Sequence, residues 1–348
     1  MPFVKENTIE TARLLARDTN ANITAWFDGK REGVELAKEE RGIVRQAVAE
    51  KILATYIDDQ TKKNNGSAPA LKPETFSTLM SSLELIEKLR NVSTADKTTC
   101  DPSIEVVMVF SGPGLFLEER KPDDQYQENT YRWLNRDRLL AGMAYARRIA
   151  LEKKRLTENN PESTIRELTE QDLEKYAPVI FYNGTALENN ELKEVLENWD
   201  VTGWDEGFEE KHPKVGSFPY PQKLPFPKSK FRIAAEPTRH TGEQVMSIAR
   251  ETEHGALKGM KNIATVASIL DYVRLPNYLE KISRVMGEEK APHFWAYPVR
   301  ARRGNVAHPE LQDTVQKYVV SEAERLVHYL QAGHLAEKPV TFKNVDVT

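Results

Sequence analysis

The chain has 348 residues with a net charge of −4, and 39% of its residues are hydrophobic. This length suits one large domain with an added helical region, and the apolar share is sufficient for a buried core. The near-neutral charge excludes a general attraction to nucleic acid or to an anionic membrane, so neither is expected as a partner.

The single cysteine, Cys100, excludes an intrachain disulfide and a CxxC metal site. No apolar run approaches the roughly 18 residues of a transmembrane helix, so no membrane span is predicted. The stretch "MPFVKENTIETARLLARD" carries charges where a signal peptide has its apolar centre. We therefore expect a cytoplasmic protein.

Residues 8 to 92 are predicted to be helical. In "GIVRQAVAEKILATYI" the apolar residues recur every three or four positions, and "SSLELIEKLRNV" has the same pattern, which is typical of amphipathic helices. No strand is predicted in this region. We interpret residues 1–100 as an N-terminal helical region that offers a surface for a protein partner.

From residue 105 onward, apolar strands alternate with helices. The predicted strands cover residues 105–110, 178–184, 231–236, 262–270 and 293–299. The predicted helices cover residues 137–155, 188–198, 241–253 and 276–286, with a last helix over 309–333 that ends at Gly333. This alternation predicts an α/β fold with a mostly parallel sheet that is covered by helices on both faces.

Two predicted connections are unusually long, at residues 111–136 and 199–230. Connections of this length are often functional lids, and the second one contains aromatic residues among its prolines. A surface insertion without function explains them equally well.

Polar and glycine residues follow the predicted strands, where an open parallel sheet binds its ligands. Glycines allow a close approach of backbone N–H groups, and helix N-termini favour phosphate or carboxylate. The turn "SGPG" matches neither GxGxxG nor GxxxxGK[ST], so no standard nucleotide motif is present. The candidate residues at the strand ends are Ser111, Gly112, Gly114, Asn183, Gly184, Glu188, Thr238, Thr241 and Arg274.

The segment "EPTRHTGEQ" places a carboxylate and an imidazole at the end of the third strand. Glu236 and His240 could form an acid–base pair or bind a divalent metal, and a structural network around Arg239 is the alternative. Thr241 is predicted to cap the next helix, with Gln244 completing a capping box. The other histidines show no HExxH spacing and no GxSxG motif occurs, so no metal ligand is assigned and an α/β-hydrolase nucleophile is not expected.

The order of these motifs resembles domain-of-unknown-function family 218, the YdcF-like, SanA-like and ElyC-like proteins. A strand with a glycine-rich turn precedes a helix that begins near Arg138, and the next strand ends in Asn183 and Gly184. A strand ending in Glu236 then precedes "TRHTGEQ", and a further strand leads into "YVRLPNYLEKISR". The resemblance covers residues 104 to 300.

The resemblance implies a Rossmann-like domain over residues 101–335, with a pocket at the strand ends and a tail over 336–348. The implied ligand is a small anionic or nucleotide-like molecule, with S-adenosylmethionine or a nucleotide as the candidate cofactor. In this hypothesis Arg138 and Arg274 add positive charge to the pocket, and Glu236 with His240 performs any acid–base chemistry. The alternative is a non-catalytic binding or scaffold protein that acts through its N-terminal helices.

Overall fold

A computed structural model describes residues 23, 26, 29–31, 34–91, 100–110, 126–198, 226–299 and 310–345. These residues form two compact units. The first unit, called the helical unit here, comprises the described parts of Met1–Asn91, Ile269–Glu280 and His308–Val340. The second, the α/β unit, comprises the described parts of Val92–Ser268, Lys281–Ala307 and Thr341–Thr348. The units therefore group the chain differently from the predicted domains 1–100 and 101–335.

The helices alternate with strands after residue 100. The helices are α1 (Lys38–Lys63), α2 (Thr75–Asn91), α3 (Tyr126–Glu158), α4 (Glu170–Tyr176), α5 (Ala186–Asn198), α6 (Thr241–His254), α7 (Leu275–Met286) and α8 (Glu310–Gln331). The strands of the main sheet are β1 (Val106–Phe110), β2 (Val179–Asn183), β3 (Phe231–Ile233), β4 (Asn262–Ser268) and β5 (His293–Val299). None of the helices in the described part of the chain is long and apolar enough to cross a bilayer.

The helical unit packs α1 and α2 against α8. Val44, Val48 and Ile52 of α1 are buried at four-residue spacing, so one stripe of the helix faces the core. Lys72, in the connection between α1 and α2, donates from Nζ to the carbonyl oxygen of Leu330 at 2.8 Å. The expectation of no strand before residue 100 was wrong in one place, because residues 30–31 pair antiparallel with residues 34–35.

The α/β unit contains one five-stranded sheet in the order β3-β2-β1-β4-β5, and every neighbouring pair is parallel. Val107 in the central strand is in register with Ile180 of β2 and Ala264 of β4. This is a Rossmann-like α/β fold, with β1 at the centre and the chain crossing over between β3 and β4. The predicted fold class and the five predicted strands are confirmed.

Helices cover both faces of the sheet. Val107 and Val109 of β1 belong to a buried cluster with Met143 and Ala146 of α3. On the opposite face, the side chain of Asn183 bonds to α6. Because successive strand residues point to opposite faces, both faces need apolar or satisfied polar residues, which explains the nearly continuous apolar strands.

Two connections differ from the sequence-based expectation. The structure begins α3 at Tyr126, so the predicted connection 111–136 is wrong in its second half. Helix α4 was missed because it has only seven residues, although Thr169 caps it by accepting a hydrogen bond from Asp172 N. Of the second long connection, residues 199–225 lie outside the described residues.

Candidate functional site

The carboxyl ends of all five strands lie at one edge of the sheet because the strands are parallel. The strand order switches at β1. The next strand in the chain, β2, lies on one side of β1, and β4 lies on the other side of β1. Ligands of open α/β sheets bind outside the carboxyl ends at such a switch in strand order. The end of β1 is therefore the expected ligand position of this fold. Ser111, Gly112 and Gly114 lie outside the described residues.

Arg138 brings a guanidinium group to the end of β1. It lies on α3, its side chain is buried, and only 5% of the residue is exposed. Its Nη1 atom donates to the carbonyl oxygen of Phe110, the last residue of β1, at 3.2 Å. The hydrogen bond fixes the guanidinium beside the last residue of β1.

Asn183, the last residue of β2, is fully buried in a polar network. Its Nδ2 atom donates to Oγ of Ser247 at 2.6 Å, and this hydroxyl donates to the carbonyl oxygen of Gln244 at 2.7 Å. The hydroxyl of Thr238 lies 3.5 Å from Oδ1 of Asn183 and 3.3 Å from the carbonyl oxygen of Gly184. The network joins β2 to α6 and satisfies polar groups that would otherwise be costly to bury.

Side chains of the turn after β2 and of the first turn of α5 cap the N-terminus of α5. The backbone N–H of Gly184 donates to Oδ1 of Asn189 at 2.8 Å. The N–H of Thr185 donates to Oε2 of Glu188 at 2.7 Å, and the N–H of Glu188 lies 3.3 Å from Oγ1 of Thr185. This reciprocal pair is a capping box, so the carboxylate of Glu188 stabilises the helix start. The sequence pattern T-x-x-E at residues 185–188 was a readable signal for this role.

Glu236 and His240 both lie on the surface, and they do not contact each other. The Glu236 side chain is 75% exposed, and its carboxylate lies 3.5 Å from Nη1 of Arg250. The His240 side chain is 66% exposed, and its Nε2 lies 3.5 Å from Oε1 of Glu243. The structure therefore gives each residue a separate partner, and the predicted acid–base pair between them is not formed.

The predicted cap of α6 was wrong by one residue. His240, not Thr241, is the N-cap, and its Nδ1 accepts from the N–H of Glu243 at 3.3 Å. Oε2 of Glu243 accepts from the N–H of Arg239 at 2.6 Å, so Glu243 takes the place predicted for Gln244. Thr241 is the first residue of the helix. A histidine was overlooked as a cap because serine, threonine, aspartate and asparagine are the usual capping residues.

Arg274 belongs to the helical unit. Its Nε and Nη2 atoms each lie 2.5 Å from Oε2 of Glu322, a buried residue of α8. The Arg274 guanidinium also lies 5.7 Å from the ring centre of Tyr329, within the range of a cation–π contact. The structure thus gathers Asn183, Gly184, Glu188 and Thr238 at the end of β2, with Arg138 at the end of β1 and Arg274 in an ion pair of the other unit.

Within the part of the chain that the structure describes, no group of three histidine, cysteine, aspartate or glutamate side chains could hold a metal ion. The residues that sequence reasoning missed are Ser247 and Arg250 of α6, which contact Asn183 and Glu236. Asn183 and Ser247 are 64 positions apart, and nothing in their local sequence predicts that they meet.

The fold defines the class of the protein: a Rossmann-like α/β protein with a helical unit. Comparison with protein-family profiles, with curated proteins and with solved structures found no match.

Proposed function

We propose that the chain binds a small anionic ligand at the carboxyl edge of the sheet, beside the end of β1. The observation that carries this proposal is the buried guanidinium of Arg138, which contacts the last carbonyl oxygen of the central strand. A guanidinium presents several N–H donors in a planar arrangement that matches phosphate and carboxylate oxygens. Its position next to the switch in strand order is where this type of fold binds its ligands.

The N-termini of α5 and α6 are unfavourable positions for the proposed anion. Each has a glutamate in its first turn, Glu188 in α5 and Glu243 in α6, and both carboxylates accept backbone N–H groups there. These negative charges oppose a second anion at the same helix start. The expectation that these helix starts contribute to the site is therefore replaced by a proposal centred on Arg138 and the end of β1.

A ribose-containing ligand fits the end of β2 poorly. Dinucleotide-binding Rossmann folds usually hold the ribose hydroxyls with an acidic residue there. In this chain the residue at that place is Asn183, whose amide is bonded to Ser247, and the carboxylate of Glu188 in the following helix caps α5. The proposal is therefore limited to an anionic group on the ligand. Nucleotides and S-adenosylmethionine are tested as ligands that carry charged groups. The proposed membership of domain-of-unknown-function family 218 is compatible with this site and supplies no reaction.

A thermal-shift screen of the full chain tests the proposal. The ligands are inorganic phosphate, carboxylates, sugar phosphates, nucleotides and S-adenosylmethionine, each at matched ionic strength. A ligand present at 100 times its dissociation constant stabilises the folded state by about 2.7 kcal/mol, which is measurable as a higher melting temperature. The proposal predicts stabilisation by at least one anion class, and no stabilisation by any of them contradicts it.

Acid–base catalysis by Glu236 and His240 is a separate hypothesis that depends on finding a substrate. If Glu236 is the acid or base, Glu236→Gln abolishes turnover while the melting temperature is retained. Glu253→Gln is the matched control, because it removes an exposed carboxylate of α6 that lies beside His254 and away from the cap at His240. Unchanged turnover in Glu236→Gln would end the catalytic assignment.

The second candidate function is a non-catalytic binding or scaffold protein that acts through its N-terminal helices. It is favoured by one observation: Glu236 is exposed and pairs with Arg250, as expected for a surface residue without a catalytic role. A failure of every ligand in the screen, together with a partner that binds residues 34–91, would support this function. A partner that still binds after surface substitutions in α1 and α2 would contradict it.

A further inference from the structure

The chain contains two asparagine–glycine pairs, and the structure places them in opposite environments. Asn65–Gly66 lies in the connection that follows α1, and Asn183–Gly184 marks the end of β2. An asparagine side chain before glycine is prone to attack by the next backbone nitrogen, because glycine has no Cβ to shield that nitrogen. The two pairs have the same reactive groups, so the surrounding structure determines which one can react.

The first pair is open to solvent. Asn65 and Gly66 are both exposed, and a Cβ added at Gly66 would meet no atom within 4 Å. Asn65 has a φ of 53° and Gly66 a φ of 90°, values in the left-handed region that glycine and, less often, asparagine adopt. In the described part of the chain, no residue hydrogen-bonds to the Asn65 side chain. The side-chain amide of Asn65 is therefore accessible to water.

Two backbone hydrogen bonds hold this turn, and one of them restrains the attacking nitrogen. The N–H of Gly66 donates to the carbonyl oxygen of Thr61, in the last turn of α1, at 2.9 Å. The N–H of Ser67 donates to the carbonyl oxygen of Asn64 at 3.1 Å. Helix ends fray at a much lower free-energy cost than the unfolding of a core. The nitrogen of Gly66 is thus released whenever the end of α1 opens, while the rest of the helical unit stays folded.

The second pair is held within the core of the α/β unit. Asn183 is fully buried, and its Nδ2 atom donates to Oγ of Ser247 at 2.6 Å. The N–H of Gly184 donates to Oδ1 of Asn189 at 2.8 Å, in a buried bond. Attack at Asn183 requires both bonds to break inside the folded sheet, which needs a far larger opening of the structure than fraying at a helix end.

We propose that Asn65 is a site of spontaneous deamidation. The backbone nitrogen of Gly66 forms a bond to Cγ of Asn65, the Cγ–Nδ2 bond breaks, and Nδ2 leaves as ammonia with the proton lost by the Gly66 nitrogen. Water then opens the resulting cyclic succinimide to aspartate, or to isoaspartate, in which the backbone runs through Cγ. Either product adds a negative charge beside the C-terminus of α1, where the helix dipole is already negative. This modification does not depend on the ligand site proposed at the carboxyl edge of the sheet.

Ageing of the native full-length chain at mildly alkaline pH tests the proposal. Peptide mapping by mass spectrometry locates the conversion of amide to acid and separates aspartate from isoaspartate peptides. We expect the reaction at Asn65 to be at least about a hundredfold faster than at Asn183. In denaturant the two pairs should react at comparable rates, because each asparagine then precedes an unrestrained glycine. Equal native rates at the two pairs would overturn the proposal, as would a reaction at Asn65 in denaturant only.

Two variants of neighbouring exposed residues confirm the position of the modification. Asn65→Gln should remove the isoaspartate from the peptide that contains the turn. Asn64→Gln is the matched control and should retain it, because Asn64 precedes asparagine instead of glycine. Isoaspartate that persists in Asn65→Gln and disappears in Asn64→Gln would contradict the assignment to Asn65. Circular dichroism checks that each variant is folded.

Discussion

Arg274 and Glu322 form a buried ion pair that connects the start of α7 with α8. The Nε and Nη2 atoms of the guanidinium both lie 2.5 Å from Oε2 of the carboxylate, and Oε1 accepts from Arg325 at 2.8 Å. Both members of the pair are about nine-tenths buried, whereas the Arg325 side chain is 55% exposed. The pair gives Arg274 a structural role in the helical unit.

Removing one member of this pair should be strongly destabilising, because it leaves a buried charge without its partner. We expect Arg274→Met to lower the free energy of unfolding by about 3–5 kcal/mol. Arg325→Met removes only the exposed partner of Glu322 and should cost less than about 1 kcal/mol. Chemical denaturation of both variants measures the difference, and similar losses would contradict the assignment.

The hydrogen-bond network of Asn183 and Ser247, which joins the end of β2 to α6, gives a second prediction. Ser247→Ala leaves the buried Nδ2 donor of Asn183 without its 2.6 Å acceptor, so we expect a loss of about 1–3 kcal/mol. Ser77→Ala is the matched control. The hydroxyl of Ser77 also donates to a carbonyl oxygen three residues earlier, but it is exposed. A loss in Ser247→Ala no larger than in the control would show that the network contributes little to stability.

Two glycines in helices should respond to alanine in opposite directions. At Gly142 of α3, an added Cβ would lie 2.6 Å from Cγ2 of Val109 in β1, so Gly142→Ala should destabilise by about 1–3 kcal/mol through overpacking. At Gly42 of α1, an added Cβ meets nothing within 4 Å, and Gly42→Ala should stabilise by about 0.5–1 kcal/mol. Thermal denaturation of the two variants tests this, and a stabilised Gly142→Ala would contradict the close packing of α3 on β1.

Asp172 should contribute to the acid stability of the α/β unit. The hydrogen bond from Lys154 at 2.9 Å, together with the N–H of Thr169, lowers the pKa of Asp172 from 3.8 to about 2. Because the folded-state pKa is the lower one, the contribution is present above pH 3.8 and is lost as the pH falls toward 2. Asp172→Asn should thus be destabilised at pH 7 and resemble the wild type near pH 2.

The control for this pH dependence is Glu170→Gln, an exposed carboxylate in the same first turn of α4. Its unfolding free energy should follow the wild type over the whole pH range. A constant difference between Asp172→Asn and the wild type from pH 7 to pH 2 would rule out the proposed origin of the stabilisation.

The fold was largely predictable because its signals are local. The apolar, β-branched run over Val106–Phe110 and the turn residues that bound it identify a buried strand without any tertiary information. The strand order was not predicted, since it depends on how helices cross the sheet. No local sequence pattern indicates that residues 269–280 belong to the same compact unit as the first 91 residues.

The site was predictable only in part. Asn183 ends β2, and Gly184 and Thr238 lie beside it, as the predicted strand end implied, but the partners of Asn183 and Glu236 were not predicted. Ser247 and Arg250 lie on α6, and each becomes a partner only after α6 has packed on the sheet. The cap at His240 was missed because the neighbouring Thr241 is the more usual capping residue.

The most direct test of the proposed function is a calorimetric titration of the anion that stabilises the chain most in the screen. The titrations compare the wild type with Arg138→Met, and with Arg155→Met as the matched control. Arg155 also lies on α3 and also donates to a backbone oxygen, that of Ser163. We expect Arg138→Met to weaken binding at least tenfold while Arg155→Met leaves it unchanged. Equal affinities in all three proteins, with each variant folded, would contradict an anion site at the end of β1.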